Sequence, residues 1–95
     1  MNRVEYLFTV LSEECAEVTQ ASSKILRFGL ANHHRGNDSS NDNRLVEEFY
    51  DIMAVFEMLQ ADGILPVWDK LDVDLQKKHK KDKVEKYMKQ YSNDL

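Results

Sequence analysis

The stretch RVEYLFTVLSEECAEVTQASSKILRF, residues 3–28, decides the fold class. Val4, Leu7, Phe8, Leu11, Cys15, Val18, Ser22 and Ile25 recur at the three-four spacing of one helical face. Leu26 and Phe28 widen that face near its end. Gly29 then offers the positive φ that closes a helix, and Arg27 suits the negative pole of the dipole. One long helix is expected over 3–28.

Downstream, the character changes. Residues 30–42, with His33, His34, Gly36 and a run of Asn, Asp and Ser, hold almost nothing to bury. They read as a surface loop, either a lid or a disordered connector. A second helix is expected over 43–61, capped by Asp42 or Asn43. Its core stripe is Leu45, Phe49, Ile52, Phe56 and Leu59, with Val46, Met53 and Val55 beside it. Asp62 and Gly63 end it. Pro66 can open a third helical region over 67–91. There Trp68, Leu71 and Leu75 share one spacing, and Val84, Tyr87, Met88 and Tyr91 repeat it. Lysines between them allow either two helices broken near residue 80 or one exposed helix. The tail, 92–95, is expected to fray.

The bulk numbers bound the reading. Ninety-five residues make one domain, and three Gly with one Pro favour long helices. The expected class is all-α, an antiparallel helical bundle. A chain this short gains core by oligomerising. A net charge of −4 gives no global basic field to hold a nucleic acid polymer. No apolar run approaches the ~20 residues that span a bilayer. A single cysteine, Cys15, rules out an intrachain disulfide. A cytoplasmic protein is the expectation. There is no GxxxxGK[ST] loop, which argues against P-loop chemistry.

The acidic pairs carry the chemistry. Glu14 and Glu17 lie three apart on the first helix, and Glu48 and Asp51 lie three apart on the second. Such pairs share a face, roughly 5–6 Å apart at Cβ. Both pairs border apolar stripes. If the helices pack antiparallel, four carboxylates converge and repel one another unless a cation joins them. Oxygen-only ligands suit magnesium or manganese, and such an ion can bind phosphate oxygens and activate water. Either pair alone would be an ordinary solvated face; the coincidence of two gives the pattern weight.

Glu13-Glu14-x-x-Glu17 followed by Glu48-x-x-Asp51 resembles the MazG-like nucleotide pyrophosphohydrolases. The words Leu11 to Val18, Leu45 to Ile52 and Ser23 to Gly29 are similar to that family's helices, as is the lysine-rich segment near Lys80 to Tyr87. The likeness extends to small members common in bacteriophages. It implies an all-α bundle whose core is completed by dimerisation, as a homodimer or homotetramer. It implies hydrolysis of nucleoside triphosphates, often deoxy or non-standard, to monophosphate and pyrophosphate. The implied metal ligands and catalytic residues are Glu14, Glu17, Glu48 and Asp51, with Mg2+ as cofactor and Mn2+ as a substitute. Glu13 and Glu47 are outer or surface groups, and no general base is assigned. The sequence departs from the family in the long segment between Glu17 and Glu48, and in Tyr50 where many relatives carry Gly.

Other residues divide between two readings. Lys24, on the row of Glu14 and Glu17, and Arg27 either bind substrate phosphate or snorkel at a helix end. The lysines at 77–83 either meet triphosphate or, as charge runs usually do, solvate a helix. His33 and His34 lack a partner at ligand spacing. Cys15, on the apolar stripe, is expected to be buried. Trp68 and Tyr87 either stack on a base or anchor an interface. The alternative to hydrolysis is a protein on the same fold that binds and sequesters a nucleotide or nucleotide signal without cleaving it.

Overall fold

A computed structural model of the chain describes residues 1–32 and 39–91. It contains three helices, α1 (Arg3–Phe28), α2 (Asn41–Ala61) and α3 (Lys70–Tyr91). Among the described residues there is no strand, and no helix is long and apolar enough to cross a membrane. Of the expected loop over 30–42, residues 33–38 lie outside the described residues, and with them His33 and His34; so does the tail.

Local chemistry sets each helix boundary. The Asn2 side chain accepts from the Glu5 N–H at 2.8 Å, satisfying a free donor at the start of α1. At the other end the Gly29 N–H donates to the Ile25 carbonyl at 2.8 Å, and Gly29 sits at φ 91°, where a side chain would be strained. α2 begins two residues before the expected 43. The cause is Asn41, whose side chain donates to the Gly29 carbonyl at 3.0 Å and is 4% exposed. Its N–H meets the Asn32 carbonyl, and the Asp42 N–H meets that of Leu30. Asn41 thus ties the start of α2 to the end of α1.

α1 and α2 form an antiparallel pair. Asn41 joins them at one end, and at the other the Arg3 guanidinium grips Asp62, with Nε 2.6 Å and Nη2 3.4 Å from its two oxygens. The ion pair is exposed and screened by solvent, so it contributes little. What holds the pair is its seam: Leu7 and Ala21 on α1, Val55 and Leu59 on α2. Leu59 is fully buried.

The seam differs from the expected stripes. Phe8, Phe49 and Phe56 are about half exposed, and Cys15 is exposed too. A helix that meets one neighbour buries only a narrow band, whereas the sequence carries an apolar band wide enough for two. The excess forms a second surface. At 100° per residue, Phe8 and Cys15 on α1 and Val46, Phe49, Met53 and Phe56 on α2 fall on one flank of the pair.

α3 stands apart. The connector is pinned to the end of α2: the Ile64 and Leu65 N–H groups donate to the Leu59 carbonyl, and the Gln60 side chain donates to the Pro66 carbonyl. Val67 and Trp68 are not helical, contrary to the expected start at 67. Asp69 caps α3 instead, accepting from the Asp72 N–H at 2.9 Å. α3 then runs unbroken through residue 80, as the single exposed helix of the two options. It packs against neither α1 nor α2 and buries no residue. The radius of gyration, 16.6 Å, exceeds the roughly 12 Å of a compact chain of this length.

Candidate metal centre

Two rows of buried and half-buried residues run along the α1–α2 seam at seven-residue intervals. On α1 the row is Leu7, Glu14, Ala21; on α2 it is Asn41, Glu48, Val55. Each glutamate is the middle member of its row. A seven-residue step is nearly two full turns, so Glu14 and Glu48 point along the direction their buried neighbours take. Both are half-buried. The acids therefore lie on the core row itself, closer to the seam than their expected place beside the stripe.

Glu14, Glu48 and Asp51 bring one carboxylate oxygen each within 4.8 Å of one another. Asp51 is exposed and reaches in from the flank. At 100° per residue, Glu17 and Asp51 lie about 60° around from the seam on the same side, with Glu13 and Glu47 about 40° further out. The acidic flank is the one opposite Phe8, Phe49 and Phe56. The antiparallel pair thus has one acidic flank and one apolar flank.

The crowding has an electrostatic signature. Partial burial raises the Glu14 carboxyl above its ordinary value, and the charges of Asp51, Glu48, Glu17 and Glu13 raise it further. A proton or a metal cation relieves such a cluster. Three carboxylates with no nitrogen or sulfur form a hard donor set, which suits magnesium, manganese or calcium. Among the four expected ligands, the structure brings Glu14, Glu48 and Asp51 together and leaves Glu17 outside the group. Glu17 adds its charge to the flank without offering an oxygen at that distance.

The expected substrate groups separate. Lys24 is half-buried and lies seven residues beyond Glu17, about 10 Å along the helix on the acidic flank. Arg27 is exposed and lies over the ring of its neighbour Phe28, 5.0 Å from the centroid. That is an ordinary helix-end contact. A cation missed in the sequence is Arg44. It is half-buried, four residues before Glu48 and therefore on the same face one turn away. Among the described residues its side chain has no ion-pair or hydrogen-bond partner. The spacing Arg44-x-x-x-Glu48-x-x-Asp51 was its signal. Lys24 and Arg44 together place positive charge at the loop end of the acidic flank. Trp68 and Tyr87 are both exposed and belong to the separate third segment.

The chain matches no protein-family model, no curated protein and no solved structure. The fold and site define a class by themselves: an all-helical chain with a three-carboxylate cluster on a two-helix seam.

Proposed function

We propose that this protein is a magnesium-dependent nucleotide pyrophosphohydrolase of the MazG-like kind, cleaving nucleoside triphosphates, deoxy or non-standard ones included, to monophosphate and pyrophosphate. The observation that carries the reading is the meeting of Glu14, Glu48 and Asp51 within 4.8 Å across two helices. Glutamates on a core row cost stability unless something is gained from them, and a bound divalent cation is what three oxygen donors suit.

Glu14, Glu48 and Asp51 would hold the ion, with Glu17 adding negative charge beside them. Once bound, the ion supplies positive charge toward phosphate oxygens and toward an attacking water. The chain's own groups do the rest. Seam packing on either side of Glu14 and Glu48 fixes where the carboxylates sit. Lys24 provides a point charge and Arg44 a planar fork for the phosphate chain. A triphosphate spanning from the acids to these cations would bring its scissile end to the metal.

The antiparallel pair becomes a bundle in this proposal when a second copy covers the apolar flank of Phe8, Val46, Phe49, Met53 and Phe56. Half-exposed rings in a row are unusual on a lone monomer. A homodimer or homotetramer in the cytoplasm is the proposed state.

The test is a panel of nucleoside triphosphates incubated with Mg2+, reading pyrophosphate and monophosphate. Release by the wild type, abolished in Glu48→Ala, supports the proposal. Tight binding with the nucleotide recovered intact would replace hydrolysis by sequestration. Neither binding nor release across the panel would overturn both readings.

A further inference from the structure

We infer that α3 is an intermolecular docking helix, and that its basic face seats on the acidic flank of a second copy of this chain. The argument rests on charge and placement, and the docked helix would share the flank to which the proposed function gives the ion and the triphosphate.

α3 carries eight lysines against four acids, and α2 carries five acids against one arginine. The helix is not uniform around its axis. On one side the charges are internally matched: Lys78 pairs with Asp82 at 2.8 Å, and Glu85 shares that side. The adjoining side presents Lys77, Lys80 and Lys81, followed by Val84, Tyr87 and Met88, with Asp74 and Glu85 along one border. These three lysines have no ion-pair partner among the described residues. A helix face that is basic in its middle and apolar toward its end fits an acidic surface bordered by apolar groups.

The acidic flank is such a surface. Glu13 to Glu17 and Glu47 to Asp51 each span four helical steps, about 6 Å, as Lys77 to Lys81 does. Exposed Tyr6 and Met58 lie on the same side of the pair. The chain's own flank is not what α3 meets. The hydrogen bonds from residues 64–66 to the last turn of α2 direct α3 away, and it touches neither α1 nor α2. A second copy supplies the complementary flank at equal concentration, and the contact is reciprocal. Nucleic acid is the weaker match, because the same molecule carries the acidic flank and a net charge of −4.

The test is charge exchange in the full chain, read by sedimentation velocity. One variant carries Lys77→Glu, Lys80→Glu and Lys81→Glu. The other carries Glu13→Lys, Glu17→Lys, Glu47→Lys and Asp51→Lys, all at exposed positions. Each alone should lose one step of association, with self-affinity weakened about tenfold or more. An equimolar mixture should recover the wild-type state, because each α3 then meets a flank of opposite sign. Variants that associate like the wild type, or a mixture that recovers nothing, would overturn the inference.

Wild-type protein provides a second measurement should a variant fail to fold. Light and nitrogen-15-labelled chains are mixed and coupled with a zero-length carbodiimide. The inference requires light-to-heavy links joining Lys77, Lys80 or Lys81 to the acids of residues 13–17 or 47–51. Links confined to one isotope, or no such links at all, overturn it. So does a wild type that stays monomeric while α3 captures single-stranded oligonucleotide.

Discussion

Glu14 and Glu48 occupy matching places on two facing helices, each seven residues from a buried neighbour on either side, and their carboxylates meet across the seam. A polar group there displaces an apolar one that would stabilise the pair. Protons and Mg2+ should both act on this pair, each with a measurable outcome.

The first concerns pH. The Glu14 carboxyl is raised, by partial burial first and by Asp51, Glu48, Glu17 and Glu13 next. The folded state therefore holds this proton more tightly than the unfolded chain does. Its contribution to stability is fully present below the unfolded value, near 4.5, and is lost as pH rises through the raised folded value. Metal-free wild type should lose melting temperature over that interval, and Glu14→Gln should lose less. Parallel melting curves for the two proteins would show the carboxylates to be uncrowded.

Magnesium should reverse the loss. A ligand that binds only the folded state stabilises it by about 2.7 kcal/mol at a hundredfold excess over its Kd. Thermal melting at neutral pH should move upward with Mg2+ in the wild type and scarcely at all in Asp51→Asn. Glu17→Gln should retain most of the shift, because Glu17 stands outside the three-oxygen group. Equal losses in the two variants would return Glu17 to the ligand set.

Arg44 is expected to act on substrate. Arg44→Ala should raise KM for the triphosphate about tenfold, the scale of one charge-assisted contact, while leaving the Mg2+-dependent melting shift in place. Arg27→Ala should change neither, since its guanidinium lies over Phe28. A KM unchanged in Arg44→Ala removes it from the site.

Leu59 is the most deeply buried side chain of the seam. Leu59→Ala should cost about 2–5 kcal/mol by urea unfolding, the usual range for a large-to-small core change. With so small a seam, that loss is comparable to much of a small domain's stability. The exposed Phe49 gives the contrast. Phe49→Glu should leave the unfolding of the α1–α2 pair nearly unchanged at low concentration and should weaken self-association. Unfolding of that variant at every concentration would place Phe49 in the seam after all.

Helix identity was legible in the residues because it depends on short-range patterns. The spacing from Val4 to Ile25, the stop at Gly29 and the Asp62–Gly63 break are local signals, and α1 spans the expected residues 3–28. The two acidic pairs were legible for the same reason, since a three-residue step puts side chains on one face in any helix. Asn41 was not legible. It sits in a run of Asn, Asp and Ser where any residue can cap, and only its bond to the Gly29 carbonyl singles it out.

What the sequence determined by itself was three helical regions, their polar and apolar faces, and four acids at a spacing that puts each pair on one side. It could not say which part of a wide apolar band meets the neighbouring helix. Phe8, Cys15, Phe49 and Phe56 have the right periodicity for a core and lie outside it. Tertiary structure made that choice, because two helices in contact bury only the strip where their ridges meet. The same choice set Glu14, Glu48 and Asp51 together, left Glu17 apart, and held α3 away from its own chain, since relative rotation and register of helices depend on distant residues.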